Sequence, residues 1–113
     1  MPSLSTHVLD TSRGKPAAGV AVTLREAGGR ELSTAITDFD GRITRDRLSA
    51  ESLPAGVYEL IFRTGDYFRR AGSELAEPPF VDDIVIRFGI AEDAHYHVPL
   101  LVSPFGYSTY RGS

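Results

Sequence analysis

Apolar residues recur on alternate positions in short runs along this chain, and each run is closed by a turn cluster. A period of two belongs to a strand with one face buried, and it argues against a helical bundle from the outset. Val20, Val22 and Leu24 alternate within residues 20–26, Gly28-Gly29 turns the chain, and Leu32 and Ile36 resume the alternation in residues 31–37. The two runs read as a hairpin. Residues 5–9 are an earlier strand, ended by Asp10-Thr11-Ser12-Arg13-Gly14, and a second cluster, Asp38-Phe39-Asp40-Gly41, delivers Arg42 directly after it. Residues 57–63 carry Tyr58, Leu60 and Phe62 on one face and Val57 and Ile61 on the other, the pattern of an interior strand or one covered by a partner. Ile84, Ile86 and Phe88 alternate in residues 83–88. Residues 95–103 and 107–110, joined through Ser103-Pro104-Phe105-Gly106, form a last antiparallel pair.

Only residues 66–75 collect apolar side chains at helical spacing, with Asp66 near the start and Tyr67, Phe68, Ala71 and Leu75 on one face. Gly72 weakens that helix and Pro78-Pro79 lies beyond its end. With no repeat, linker or low-complexity tract, the chain reads as a single domain over residues 1–113. The expected fold is all-β, an antiparallel β-sandwich of seven to eight strands with one short helix.

Composition removes whole classes of function. A net charge of -3, with no basic run longer than Arg69-Arg70, is a poor footprint for nucleic acid or anionic lipid. Cysteine is absent, which excludes disulfide scaffolds, thiolate nucleophiles and cysteine-ligated zinc. No apolar run approaches the roughly 20 residues that cross a bilayer. The opening MPSLSTHVLD has no positive cluster followed by an apolar stretch, so a cytoplasmic protein with a small-molecule partner is expected.

The three histidines are His7, His95 and His97. Histidine titrates near neutrality and suits proton transfer, although a histidine taken at random is more often a surface or structural group. His95 and His97 lie two apart on a strand and so share a face. Such a pair is also a familiar half of a zinc site, but a catalytic zinc takes three protein ligands and no third is evident. The segment after them keeps β-forming residues, Tyr107, Thr109 and Tyr110, almost to Ser113, where most termini are loose and polar.

Residues 96–113, YHVPLLVSPFGYSTYRGS, resemble the carboxyl-terminal signature of the 5-hydroxyisourate hydrolases, the enzymatic relatives of transthyretin. Ser5-Thr6-His7-Val8-Leu9-Asp10 is similar to that family's amino-terminal motif, and Thr37-Asp38-Phe39-Asp40-Gly41-Arg42 to the motif around its arginine. The resemblance runs from Ser5 to Ser113, with residues 66–81 matching only in general pattern. It implies a transthyretin-like sandwich, a homotetramer with sites at subunit contacts, and hydrolysis of 5-hydroxyisourate to 2-oxo-4-hydroxy-4-carboxy-5-ureidoimidazoline in urate breakdown. It further implies His7, Arg42, His97 and Ser113 as catalytic groups, with Tyr110, Arg111 and Gly112 shaping the substrate pocket. Ser113 and its α-carboxylate are then expected beside His7, Arg42 and His97. Two histidines and an arginine supply a base for water, a proton for the departing nitrogen and a donor to the developing oxyanion, with no metal or other cofactor. His95 precedes the motif and is read as a bystander. The competing reading is a non-catalytic transthyretin-like module that binds a small ligand or a protein.

Overall fold

A computed structural model of the chain describes residues 2–48 and 53–113. Its elements in chain order are β1 (Ser3–Asp10), β2 (Lys15–Pro16), β3 (Ala21–Glu26), β4 (Glu31–Ile36), β5 (Arg42–Ile43), α1 (Arg45–Leu48), β6 (Gly56–Phe62), α2 (Thr64–Arg70), β7 (Ile84–Ile90), β8 (His95–Ser103) and β9 (Gly106–Thr109). They build two sheets, one ordered β2-β1-β8-β9 with β5 also on β1, the other β4-β3-β6-β7. The expected sandwich is therefore present, and β6 is an interior strand between β3 and β7 as its two apolar faces required.

Alternation decides which residues face inward. Leu4, Thr6, Val8 and Asp10 of β1 are buried, and so are Tyr96, Val98, Leu100 and Val102 of β8. Val22, Leu24, Leu60, Phe62, Ile84 and Ile86 line the other sheet's inner face. Full burial of side chains of this size contributes about 1.5–3 kcal/mol each, so the two rows clamp the sheets together. What remains on the outer face of β1 is Ser3, Ser5, His7 and Leu9, and this face carries the chemistry.

Pairings within the second sheet are antiparallel, but β1 and β8 run parallel in unbroken register from Ser3↔His95 to Asp10↔Val102. Thr6 Oγ1 also donates to the Val98 carbonyl at 2.6 Å, a link across 92 residues.

The helix differs from the expected residues 66–75. It starts at Thr64, whose buried hydroxyl donates to the Asp82 carbonyl at 2.7 Å, and it ends at Arg70 because Gly72 takes φ +83°. Tyr67 and Phe68 still face the core, while Leu75 packs on it from beyond the helix. Four-residue α1 was not expected, nor were the two-residue strands β2 and β5. Asp10 joins α2 to β1. Its buried carboxylate accepts from the Ser12 hydroxyl and amide, from Arg13 Nη1 at 3.0 Å and from the Tyr67 hydroxyl at 2.8 Å. Burial pushes the Asp10 pKa up, but those hydrogen bonds outweigh it and hold the carboxyl below its ordinary value. Tyr67 is pushed up to about 12, by burial first and then by Asp10. No helix among the described residues is long and apolar enough to cross a membrane.

Candidate active site

Register brings the chemistry together. β1 pairs with β8 so that Ser5 stands opposite His97, and with β5 so that His7 stands opposite Arg42. Three strands, drawn from the beginning, middle and end of the sequence, thus present their polar residues on one outer face.

The turn before β5 fixes Arg42. Asp38 accepts from the amides of Asp40 at 2.9 Å and Arg42 at 3.0 Å, and those hydrogen bonds, that of Arg42 first, hold its carboxyl low. Gly41 adopts φ +76°, and a side-chain carbon there would sit 2.4 Å from the Val8 carbonyl oxygen, so only glycine lets this turn lie against β1. The Arg42 guanidinium then reaches Asp40 through Nε at 3.0 Å, and the Asp40 carbonyl lies 2.9 Å from His7 Nε2. One turn thereby orients both an arginine and a histidine.

His97 is half-buried on β8, with Nδ1 2.8 Å from Ser5 Oγ. Its carbonyl accepts from the Gly112 amide at 2.8 Å, which draws residues 110–113 back along the strand. Burial first, then the positive charge of Arg42 and the other two histidines, lower its pKa below the ordinary 6.5. The imidazole is therefore neutral at pH 7, with a lone pair available to a proton.

Arg42, Thr44, His95, His97, Ser5 and Ser113 line one open cavity of about 520 Å³. Of the residues singled out from sequence, Arg42, His97 and Ser113 meet there. His7 shares the outer face and acts electrostatically on His97, but it stands outside the cavity lining. Gly112 backs the His97 ring, and a side-chain carbon on it would fall 2.6 Å from His97 Cδ2. Tyr110 and Arg111 line a different cavity, of about 390 Å³, with the Arg111 guanidinium 4.1 Å above the Tyr96 ring. Within one chain the contact of Arg111 with Tyr96 helps to hold the tail against β8.

Two further residues line the cavity, Ser5 and His95. His95, read as a bystander, lines the cavity, and its Nε2 lies 2.8 Å from Ser5 Oγ while its Nδ1 lies 2.6 Å from Ser3 Oγ. The period-two spacing already placed His95 on the face of His97 and Ser5 on that of His7, but which strands are neighbours is absent from such a pattern. Among the described residues no trio of His, Cys, Asp or Glu side chains gathers as a metal would need.

Comparison with known proteins gives a consistent picture. The model of the HIUase/Transthyretin family matches residues 4–112. The 5-hydroxyisourate hydrolase of Mesorhizobium japonicum is 54% identical over 113 residues, covering 97% of this chain and 91% of that protein. The solved structure of Klebsiella pneumoniae 5-hydroxyisourate hydrolase superposes with a TM-score of 0.86 at 47% identity, with both chains fully covered. Sea bream transthyretin in complex with thyroxine superposes at 0.83 with 32% identity, over 97% of this chain and 94% of that one.

Proposed function

The chain belongs to the HIUase/transthyretin family, and on that premise we propose that it hydrolyses 5-hydroxyisourate with His97, Arg42, His7 and Ser113 as its working groups. Water adds to a ring carbonyl and the adjacent carbon–nitrogen bond breaks. His97, neutral at pH 7 and already engaged by Ser5 through Nδ1, takes the proton of the attacking water at Nε2. The Arg42 guanidinium donates to the oxygen on which negative charge develops, where a fixed positive fork is worth most. His7 assists proton transfer and, through the Asp40 carbonyl, shares the turn that orients Arg42. Ser113 closes the cavity beside them, and Gly112 sets the position of the His97 ring.

The observation that carries this reading is the register that sets a neutral imidazole and a guanidinium in one cavity. A module that only holds a ligand gains nothing from that pair, and the relatives at 54% and 47% identity are hydrolases by name. Generating 5-hydroxyisourate in place with urate oxidase and following its ultraviolet decay tests the activity directly. Decay no faster than in buffer refutes it.

We also infer self-association into a homotetramer. β7 and β9 each end a sheet, and open strand edges are sites for pairing with another copy. Val85 of β7, and Tyr107 and Tyr110 at the other edge, are exposed apolar side chains along them. Light scattering that finds an active monomer at assay concentration contradicts this.

A further inference from the structure

Ser5 Oγ is within hydrogen-bonding distance of two imidazoles at once, His95 Nε2 at 2.8 Å and His97 Nδ1 at 2.8 Å. Ser3 Oγ lies 2.6 Å from the remaining nitrogen of His95. The four groups form an unbroken line along the β1–β8 face, from the half-buried His97 in the cavity through Ser5 and the exposed His95 to Ser3. We propose that Ser3, His95 and Ser5 are a proton relay that resets His97 during turnover.

The inference rests on the reading of His97 as the base. Each serine hydroxyl carries one proton and each neutral imidazole one N–H, so the line can be polarised in only two senses. In one sense His97 donates from Nδ1 to Ser5, Ser5 donates to His95 Nε2, and His95 donates from Nδ1 to Ser3; His97 Nε2 is then a bare lone pair. In the other sense every bond is reversed, and His97 carries its proton on Nε2.

The relay converts the first sense into the second. His97 Nε2 takes a proton from the attacking water, and the His97 Nδ1 proton passes to Ser5. Ser5's own proton passes to His95 Nε2, the His95 Nδ1 proton passes to Ser3, and Ser3's own proton leaves to solvent. All four groups finish neutral, one proton has left the cavity, and His97 now presents an N–H. Releasing that proton to the departing nitrogen runs the line backwards, with a proton entering from solvent at Ser3. No imidazolium need persist at His97, where burial and the charge of Arg42 disfavour the cationic form.

The alternative is that these are ordinary cross-strand contacts, each stabilising the sheet slightly. Kinetics of Ser5→Ala, Ser5→Thr and His95→Ala, with and without added imidazole, separate the two. The relay requires kcat to fall about tenfold or more in both alanine variants, a part of what acid–base catalysis supplies, with KM little changed. Ser5→Thr keeps an Oγ and should retain most of the rate. Imidazole, reaching the exposed position vacated in His95→Ala, should restore kcat in that variant and leave wild type unaffected. An unchanged kcat in either alanine variant overturns the relay, and so does a loss in His95→Ala that imidazole does not touch. His97→Asn is the separating control: if it keeps wild-type rates the reading of the base itself falls, whereas if it is inactive and the alanine variants are indifferent only the relay does.

Discussion

Replacing Gly112 by alanine tests how tightly the tail positions His97. The added carbon would lie 2.6 Å from His97 Cδ2 and 3.3 Å from both His97 Cγ and Pro99 Cγ. Carbon atoms settle at about 3.5–4.0 Å, so ring and tail must part by about 1 Å. Pro99 is locked into β8 and the ring is tied to Ser5, which leaves two ways to yield: the imidazole tilts, or residues 110–113 swing out. Either one moves a group of the site by about 1 Å, a displacement that costs about 100-fold in rate, or about 2.7 kcal/mol at 1.36 kcal/mol per tenfold. The fold has little at stake, since the contacts at risk are the bond from the Gly112 amide to the His97 carbonyl, worth about 1 kcal/mol, and the exposed Arg111 guanidinium over the Tyr96 ring, worth about 0.5–1 kcal/mol. Expected, then, is a kcat/KM about 100-fold lower in the ultraviolet decay assay, with a melting temperature only a few degrees below wild type. Gly29→Ala, where the new carbon meets nothing closer than 3.8 Å, is the matched control. A Gly112→Ala enzyme within about threefold of wild type, where a 1 Å shift should cost far more, would refute the claim that the tail sets the ring's position.

His7→Asn and His97→Asn should each lower turnover by about 10²–10⁴-fold, the usual share of an acid–base group, and Arg42→Gln by about 10²–10³-fold, the usual share of an oxyanion donor, while thermal melts stay near wild type because none of the three fills the core. Turnover should fall as the pH drops below 6.5, as His97 gains a proton; removing the Arg42 charge takes away one cause of its lowered pKa, so an NMR titration of Arg42→Gln should find His97 titrating at higher pH than in wild type. The same shift stabilises the fold above pH 6.5, and that contribution is lost as the pH falls through 6.5 toward the folded-state value. Tyr67→Phe removes the buried donor to Asp10 and should cost about 1.5–3 kcal/mol in chemical denaturation, with activity retained. Asp10 titrates lower folded than unfolded, so its contribution holds above pH 3.8 and is lost below it.

How much of this was legible in the sequence varied with the physics of each element. Alternation locates the long strands, because a half-buried strand imposes it on every residue: β8 matches the expected residues 95–103, and the others differ by one or two residues at one or both ends. β2 and β5 are two residues long, too short for any period to be expressed. α1 buries only Leu48 and so offers no apolar face to recognise. Ala71 and Leu75 continue the helical spacing in the sequence, but the helix starts two residues earlier, at Thr64, and stops at Arg70 because the backbone at Gly72 has turned left-handed. The parallel alignment of β1 with β8 lay beyond reach, since a period names the face of a strand and never its neighbour. That same gap hid the line of contacts through Ser5, which stands opposite His97 and also reaches His95 across the β1–β8 boundary.

The parallel seam between β1 and β8 also orders events during synthesis. β1 leaves the ribosome first, with four buried side chains alternating along it, and the partner that fills its long edge follows about ninety residues later. At about 5–20 residues per second that is an interval of roughly 5–20 s. During it the first strand can borrow only the two short stretches β2 and β5, each two residues long. A half-made chain therefore presents an unsatisfied strand edge with Leu4 and Val8 uncovered, and truncated or stalled products should be the species that aggregate. Ser5 meets His97 only when this seam closes, so the proposed base and its hydroxyl partner come together only once the last long strand has docked.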